Sequence, residues 1–395
     1  MASSRFVEPI NLGPEADGSK RGHDVGLTLA HDTAMVHADD GAAPPRQPAD
    51  VAAHLAALHG PAHRTYVCPV DEPARLEAWR ETARPALRQL VGLERIAADV
   101  GSHAPTVELG EPERIAGEPI TRRLGYIQVE PTVRLPFHLV EPNTPGPHPL
   151  AIMPHGHGKF GMYAGVVEDE AARRQMLEED RDVALQAARR GMVAIAPATR
   201  GIDGFVIRNV EKTRPLNDCH LHMFNCLLAG RTAIGERVWD AQCIIDWALA
   251  ELNIDSERIL VTGNSGGGVA TLFIAACDAR VTVAVPSCSY TVWVTEGGTF
   301  PLCPCNAVPG ITRFGEGWDV AGLIAPRWLM CVHGSTDPTR PPEEAAPAIA
   351  PLQRIYEAAG VPERFAHGIG EGGHRFYSDL MWPFIEKALA AVDTA

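Results

Sequence analysis

A serine flanked by glycines is the first residue of this sequence that suggests chemistry. Ser265 stands at the centre of Gly-Asn-Ser-Gly-Gly at 263–267, directly after the apolar run 259–262 and directly before a run of small residues. This order predicts a strand, a tight turn and a helix, with neighbours small enough for strand and helix to approach closely. A strained turn of this kind pushes the hydroxyl out of the turn, where it can attack a substrate. Glycine-rich turns also occur without a catalytic role, so the interpretation depends on partner residues.

An aspartate and a histidine follow the serine in the order that catalysis on such a turn requires. Asp337 comes after the apolar run 328–332, and His374 comes after the run 365–369. A serine hydroxyl is a weak nucleophile, so it needs a general base and a carboxylate that orients the base. Alone, Asp337 could cap a turn and His374 could be a surface residue. Together they predict a triad with Ser265 as nucleophile, His374 as base and Asp337 as acid.

The loop after an earlier apolar run offers donors for the oxyanion of a tetrahedral intermediate. Pro-His-Gly-His-Gly at 154–158 follows the run 150–153, and its glycines allow backbone amides to turn inward. We expect the N–H of Gly266 to act with the N–H of His157 or Gly158. The alternative is a turn that only ends the strand and carries structural histidines. Three side chains are assigned to the substrate pocket: His155, Tyr290 and Trp293.

The elements that must position these residues follow an α/β pattern. Short apolar runs alternate with helical segments, as is typical of buried parallel strands. The runs lie at 150–153, 192–196, 259–262, 281–285, 328–332 and 365–369. Further predictions are antiparallel strands at 124–129 and 133–140, a helix on the sheet at 239–252, and one or two helices at 72–96 with Pro85 as a break. The predicted fold is a mostly parallel central sheet flanked by helices.

The chain divides into three predicted parts. Residues 1–65 lack apolar periodicity and are expected to form an irregular extension or a docking arm. Residues 66–130 predict helices and leading strands packed on the core, and residues 131–395 predict the catalytic domain. Lid-like insertions at 201–237 and 289–321 are expected over the active-site mouth. Their bulky side chains are expected to narrow the acyl side of the pocket: Phe205, Phe224, Tyr290, Trp293 and Phe300.

The composition argues against several classes of partner. The 49 acidic residues outnumber the 35 Lys and Arg residues, and the formal net charge is -14, so the positive surface of a nucleic-acid binder is absent. No apolar segment is long enough to span a bilayer, and Met1–Lys20 lacks the apolar region of a signal peptide. We therefore expect a cytoplasmic protein with no nucleic-acid or membrane partner, and with homo-oligomer formation through the extension.

The cysteines predict reduced thiols. There are 9 of them in 395 residues, an odd number in a chain too large to need disulfide staples. Two segments invite comparison with metal sites, Cys303-Pro-Cys305 and Cys219-His220-Leu221-His222. Neither has the paired spacing of a zinc motif, and the 16 histidines are scattered, so the sequence predicts no metal and no cofactor.

Taken together, several motifs resemble a known family. They are HGHG at 155–158, LAGRTAIGERVWDAQCIIDW at 228–247, GNSGGG at 263–268, CPCNAVPG at 303–310, IAPRWLMCVHGSTDP at 324–338 and GGH at 372–374. With them the chain resembles the acetyl-xylan-esterase-like and dienelactone-hydrolase-like α/β-hydrolases. The triad segments occur across that fold, whereas the Arg-Trp-Asp helix and the CPCN loop are more particular to the subgroup. The resemblance implies an α/β-hydrolase fold and a serine esterase that acts on short, acetyl-like acyl groups.

These observations predict a carboxylic-ester hydrolase that acts on a small-molecule ester through an acyl-enzyme. A serine peptidase or amidase of the prolyl-oligopeptidase kind uses the same triad, but no propeller-like repeat precedes this core. A catalytically silent binding protein on the same scaffold is a second alternative. A third is a metal-dependent hydrolase built on Cys219, His220, His222 and Cys305. Within the triad, the less favoured acids are Asp319 and Glu371.

Overall fold

A ten-stranded sheet forms the centre of the protein. The computed structural model describes residues 51–203, 217–294 and 302–394. The strands are β1 (Thr106–Leu109), β2 (Glu113–Arg114), β3 (Ile120–Glu130), β4 (Val133–Pro142), β5 (His148–Ile152), β6 (Val193–Pro197), β7 (Ile254–Asn264), β8 (Val283–Ser287), β9 (Trp328–Gly334) and β10 (Phe365–Gly370). Their order is β1-β3-β4-β6-β5-β7-β8-β9-β10, with β2 also on β3. β1 to β4 pair antiparallel, as does β4 with β6, and β5 to β10 pair parallel.

Helices cover both faces of this sheet. They are α1 (Val51–Leu58), α2 (Leu76–Leu90), α3 (Leu93–Val100), α4 (Phe160–Tyr163), α5 (Glu170–Glu178), α6 (Val183–Arg189), α7 (Asp218–Leu228), α8 (Ala233–Glu251), α9 (Gly266–Cys277), α10 (Ile311–Phe314), α11 (Gly317–Gly322), α12 (Pro342–Ala358) and α13 (Ser378–Ala390). Leu150 and Ile152 belong to one hydrophobic cluster and Ala151 to another, because successive strand side chains point to opposite faces. The first cluster includes residues of α2, α8, α9 and α12, and the second includes residues of α6 and α13.

The predicted arrangement of strands and helices is confirmed. The six apolar runs lie in or overlap β5 to β10, and the two antiparallel predictions lie within β3 and β4. The helix expected at 239–252 is α8, which begins earlier, after Thr232. The Thr232 hydroxyl accepts a hydrogen bond from the N–H of Gly235 and so caps the helix. The fold is therefore a mostly parallel sheet between two layers of helices.

Pro85 does not break a helix, contrary to the sequence prediction. It lies inside α2, which runs without interruption from Leu76 to Leu90. Ala83 and Leu87 on this helix are fully buried, and Arg84 donates hydrogen bonds to two carbonyl groups of other elements, at 3.0 and 2.6 Å. These contacts offset the lost backbone hydrogen bond that a proline imposes inside a helix.

The boundaries of the predicted extension and insertions differ from the structure. Residues 51–58 form α1, so this part of the extension is helical, while residues 1–50 lie outside the described residues. The backbone N–H groups of Thr65 and Tyr66 donate at 2.8 Å to carbonyl groups of the 289–321 insertion. Residues 233–237 of the other insertion belong to α8, because the apolar face of that helix extends to Ile234. Among the described residues, no helix is long and apolar enough to cross a membrane.

A buried ion-pair network joins the loop after β6 to α8. Arg200 bonds both carboxylate oxygens of Asp240, at 2.9 and 2.5 Å, and also contacts Glu130 at 2.5 Å. Arg200 and Asp240 are each only 5% exposed. In such a network, removing one partner leaves the other charges buried without compensation. The network therefore fixes the position of Thr199 and Arg200 relative to the sheet.

Removing the central cation of this network should destabilise the protein strongly. We expect Arg200→Met to lower the free energy of unfolding by about 3–5 kcal/mol, measured by urea denaturation, because Asp240 loses two hydrogen bonds to a buried cation and Glu130 and Glu236 each lose one ion pair. Arg75→Met is the matched control, since the Arg75–Glu72 pair is largely exposed and should contribute little. Equal stability losses in the two variants would contradict a structural role for the network.

Candidate active site

The predicted nucleophile lies between the end of β7 and the start of α9. β7 ends at Asn264, α9 begins at Gly266, and Ser265 between them has a φ of 58° and a ψ of -124°. A positive φ is uncommon for a residue that carries a Cβ, so the fold holds Ser265 in a strained conformation. This is the strand–turn–helix geometry that exposes a nucleophilic hydroxyl.

Glycines allow the loop after β5 to pack directly against this turn. A Cβ on Gly263 would lie 2.3 Å from the carbonyl oxygen of Pro154, and a Cβ on Gly267 would lie 2.0 Å from the same oxygen. A Cβ on Gly156 would lie 2.9 Å from the backbone nitrogen of Gly266. No real side chain tolerates such distances to backbone atoms, so these positions require glycine. The two loops are therefore held in direct contact around Ser265.

The predicted base and acid form a hydrogen-bonded pair. Nδ1 of His374 lies 2.7 Å from Oδ2 of Asp337. The other carboxylate oxygen of Asp337 accepts backbone N–H groups of Thr339 and Arg340, at 2.8 and 3.0 Å. Burial alone would raise the pKa of Asp337, but the bond from His374 and these two N–H groups hold that pKa below its usual value. Asp337 is thus an ionised acceptor that keeps the proton of the imidazole on Nδ1.

The three predicted triad residues all follow the carboxyl ends of parallel strands. They follow β7, β9 and β10, and Ser265 and His374 line the same cavity of about 870 Å³. Within the described residues, no hydrogen bond occupies Nε2 of His374, so that nitrogen is free to accept a proton. The rest of the cavity combines apolar side chains of Met162, Tyr163 and Ile202 with polar side chains of Lys159, Gln175, Arg181, Asp203, Asn217 and Asp218.

His155 anchors the loop after β5 instead of contacting substrate freely. Its Nε2 accepts the backbone N–H of Thr199 at 2.9 Å, and its Nδ1 lies 2.8 Å from the carbonyl oxygen of Gly156. The Thr199 hydroxyl also donates to the carbonyl oxygen of His155, at 3.0 Å. Burial lowers the pKa of His155 to about 4, so the ring is neutral. Although His155 lines the cavity, both its ring nitrogens are occupied, which argues against the predicted pocket role.

The backbone geometry distinguishes between the two predicted partners of Gly266 in the oxyanion hole. The N–H of Gly158 donates to the carbonyl oxygen of Gly156 at 2.8 Å and is therefore committed within the loop. The N–H of His157 makes no hydrogen bond within the described part of the chain. Gly266 is the first residue of α9, where backbone N–H groups lack partners inside the helix. These contacts favour His157 over Gly158 as the second donor.

The sequence and the overall fold resemble those of several known proteins. No family model matches the chain. YtaP of Bacillus subtilis (strain 168), provisionally named a hydrolase, is 22% identical over 247 residues, which cover 61% of this chain and 78% of YtaP. Among solved structures, methylesterase BT1017 is 22% identical with a TM-score of 0.61, over 88% of this chain and 68% of its own. A provisionally named acetyl xylan esterase from Bacteroides fragilis is 17% identical with a TM-score of 0.64, over 84% and 82%. This chain has the α/β-hydrolase fold.

Two predicted pocket residues belong to the hydrophobic core of the fold. Tyr290 is 2% exposed, and its hydroxyl donates to the carbonyl oxygen of Ala348 on α12 at 3.0 Å. Trp293 is 3% exposed and stacks on Phe273 of α9, with ring centroids 5.9 Å apart. Neither residue lines the cavity around Ser265, because their side chains pack against α12 and α9. Their position in a predicted insertion does not show whether such side chains lie in the hydrophobic core or in the substrate cavity.

The expected narrowing of the pocket by bulky insertion residues finds no support in the described residues. Phe224 lies on α7 with 51% of its surface exposed and does not line the cavity around Ser265. Phe205 and Phe300 fall outside the described residues. Insertion residues do reach the cavity, but they are Gly201 to Asp203 and Asn217 to Cys219. Apart from Ile202, the first insertion therefore lines the cavity with small or polar residues.

The weaker candidates for the acid occupy other environments. Asp319 is fully buried at the start of α11, where its two oxygens accept the N–H groups of Cys68 and Glu316, both at 2.8 Å. It therefore caps a helix and ties the N-terminal segment to the insertion. Glu371 is exposed in the loop after β10. Neither contact pattern resembles that of Asp337 with His374.

Sequence reasoning missed two groups beside the triad. Arg181 lines the cavity and donates to the carbonyl oxygen of His374 at 3.3 Å, yet no motif surrounds it in the sequence. The side chain of His157 meets three thiols, those of Cys219, Cys303 and Cys305. The CPC triplet and the neighbouring Cys-His segment were visible signals for that cluster, but only the fold places them together with His157.

Proposed function

We propose that this protein is a serine carboxylic-ester hydrolase in which Ser265, His374 and Asp337 form the catalytic triad. One observation carries the proposal. The ionised Asp337 is hydrogen-bonded to Nδ1 of His374, and His374 lines the same cavity as Ser265, whose backbone is strained. The reaction proceeds by acyl transfer to the enzyme and then to water.

Each residue has a defined part in this mechanism. Ser265 attacks the ester carbonyl while Nε2 of His374 takes the hydroxyl proton. Asp337 holds the imidazole in the required tautomer and stabilises its protonated form. The N–H groups of Gly266 and His157 bind the oxyanion of the tetrahedral intermediate. His374 then returns the proton to the leaving alcohol and activates water for deacylation, so the mechanism requires no cofactor.

The comparisons support an ester as the bond that is cleaved. The solved structures described above are named a methylesterase and an acetyl xylan esterase, and a glucuronoyl esterase from Solibacter usitatus shares the fold with a TM-score of 0.56. That structure is 15% identical and covers 79% of this chain and 93% of its own. Because all are remote, they guide the choice of reaction and leave the substrate of this chain to experiment.

An active-site-directed organophosphonate tests the proposal directly. We expect one adduct per chain, located on Ser265 by peptide mass spectrometry, because only a serine activated by its base reacts at neutral pH. Heat-denatured protein serves as the control and should not be labelled. A native protein that resists the probe would support the silent-scaffold alternative, and an adduct on another serine would move the nucleophile.

The cavity also predicts the type of ester that is hydrolysed. A long acyl chain in this cavity would gain about 0.8 kcal/mol per methylene buried against Met162, Tyr163 and Ile202, but it would also desolvate the charged and amide side chains that share the lining. We therefore expect kcat/KM to be highest for acetyl esters and lower by about tenfold or more for octanoyl esters of the same leaving group. The expected acyl preference thus follows from the cost of desolvating these charged and amide side chains, and it does not require the narrow pocket predicted from the sequence.

The measurement compares acetyl, butyryl and octanoyl esters of one aryl alcohol with the matching acetyl anilide. The anilide should react much more slowly, since the described residues include no further domain that would anchor a peptide. A higher kcat/KM for the octanoyl ester would show that desolvation of the polar side chains does not limit acyl length. Comparable anilide turnover would favour the peptidase or amidase alternative.

A further inference from the structure

One imidazole and three thiols form a compact cluster that includes His157 of the loop after β5. Nε2 of His157 is 3.3 Å from Sγ of Cys219, 3.7 Å from Sγ of Cys303 and 3.6 Å from Sγ of Cys305. The sulfurs of Cys303 and Cys305 are 3.3 Å apart. All four atoms lie within 4.8 Å of one another. The triad mechanism uses none of these four side chains.

The separations fit a single tetrahedral ion. Zinc binds thiolate sulfur at about 2.3 Å and imidazole nitrogen at about 2.0–2.1 Å, so the edges of the tetrahedron are about 3.8 Å between two sulfurs and about 3.5 Å between sulfur and nitrogen. The measured distances scatter around these values. Three cysteines and one histidine are also a ligand set that structural zinc sites use, and three thiolates select against magnesium and calcium.

A buried cation next to the cluster provides independent support. Arg237 on α8 is 6% exposed, and its Nη1 donates to Oδ1 of Asn306 at 2.7 Å. Its Nε and Nη2 are buried without a hydrogen-bond partner, and no ion pair of Arg237 is found within the described residues. A buried charge is normally compensated. Asn306 directly follows Cys305, and a zinc ion with three thiolates and a neutral imidazole carries one net negative charge beside this guanidinium.

We propose that His157, Cys219, Cys303 and Cys305 bind one zinc ion in a tetrahedral structural site. On binding, the three thiols lose their protons to solvent and the neutral His157 ring coordinates through Nε2, with no change of oxidation state. The ion joins three segments that are distant in the sequence: the loop after β5, α7 of the first insertion, and the 302–306 segment of the second. Two of these segments, α7 and the 302–306 segment, also contribute to a small apolar cluster with Ile202.

The position of His157 links this site to the oxyanion hole. The backbone N–H of His157 is free for the oxyanion, while its ring Nε2 faces the thiols. Ring Nδ1 faces the turn at Ser265 and lies 3.9 Å from the position that a Cβ on Gly266 would take. Coordination through Nε2 fixes the ring proton on Nδ1 and limits rotation of the residue. Metal loss should therefore lower kcat more than it raises KM.

The other arrangements of these side chains fit less well. A disulfide requires sulfurs about 2.05 Å apart and an oxidant, and Cys303 and Cys305 are separated by a single residue. His220 has its Nε2 3.5 Å from Cys303 but lies outside the four-atom group. A second group, His222 with Cys226 and Glu236, has its carboxylate already engaged by Arg231 at 3.3 Å.

The test measures metal content and is independent of esterase activity. The full chain, produced with added zinc under reducing conditions and dialysed, should contain about one zinc ion per chain by plasma mass spectrometry. Cys219→Ser and Cys305→Ser should each lower the zinc content by about tenfold or more. Cys226→Ala is the matched control, because Cys226 is a buried thiol on the same helix as Cys219 and should leave zinc in place.

A second test uses the unmutated protein with cobalt in place of zinc, so its result does not depend on whether the cysteine variants fold. Co²⁺ should give the intense visible bands of tetrahedral coordination and a thiolate charge-transfer band in the near ultraviolet. A chain without metal after this treatment would overturn the proposal, as would zinc that persists in Cys219→Ser and Cys305→Ser. A disulfide among Cys219, Cys303 and Cys305 in freshly prepared, non-reduced protein would also overturn it.

Discussion

Replacing Ser265 with alanine should lower kcat for ester hydrolysis by about 10⁴-fold or more and abolish organophosphonate labelling. The hydroxyl supplies the bond-forming oxygen, and the described residues place no second serine in the cavity with His374. Alanine has a Cβ like serine, so it occupies the same backbone conformation with the same strain. The melting temperature should therefore remain within a few degrees of that of the unmutated protein.

A nearby serine provides the control for this experiment. Ser289 is buried beside Gly268 at the start of α9, its hydroxyl has no hydrogen-bond partner, and it does not line the cavity. Ser289→Ala should retain normal kcat, and its stability should be equal or slightly higher, because an unsatisfied buried hydroxyl is removed. If Ser265→Ala kept substantial activity while Ser289→Ala lost it, the nucleophile would lie elsewhere.

Replacing Asp337 with asparagine should lower kcat by about 10⁴-fold at neutral pH. Oδ1 of Asp337 accepts two backbone N–H groups, so the amide oxygen should take that place and the amide nitrogen should face His374. The nitrogen of His374 on that side would then accept a hydrogen bond, and its proton would move to Nε2. An imidazole in this tautomer cannot take the proton of Ser265. The protein should remain folded, with KM changed far less than kcat.

Asp319→Asn is the matched substitution at the other buried aspartate. Both oxygens of Asp319 accept backbone N–H groups, so an amide there loses one of two capping bonds. We expect a lower melting temperature with kcat nearly unchanged, measured by thermal denaturation and by initial rates at saturating substrate. The opposite ranking, with Asp319→Asn inactive and Asp337→Asn active, would transfer the role of the acid to Asp319.

The sequence predicted the sheet well because its strands are buried on both faces. Runs such as 259–262 and 328–332 are almost entirely apolar, and each is followed after a few residues by a polar residue of the candidate site, Ser265 or Asp337. Parallel strands bring their carboxyl ends to one edge of the sheet, so the sequence alone predicts that Ser265, Asp337 and His374 lie close together. The glycines around Ser265 gave the same indication, since close backbone contact excludes other residues.

The residues that were misassigned depend on long-range packing. Nothing local distinguishes Tyr290 and Trp293 from aromatic residues that line a pocket, because the deciding contacts are with α9 and α12. Pro85 was taken as a break because its effect on an isolated helix is large, whereas packing of α2 outweighs that effect. His157 meets its three thiols across sequence distances of 62 to 148 residues, and no spacing rule covers such a group.

The backbone conformation of Ser265 affects which residue evolution would favour at this position. With a φ of 58° the position suits glycine, and a residue with a Cβ held there costs about 1–3 kcal/mol of folding free energy. Glycine at 265 would relieve that strain and remove the nucleophile in the same step. A lineage that no longer needed hydrolysis would therefore drift toward glycine at this position, whereas retention of serine among diverged descendants would mark continued selection for the hydroxyl.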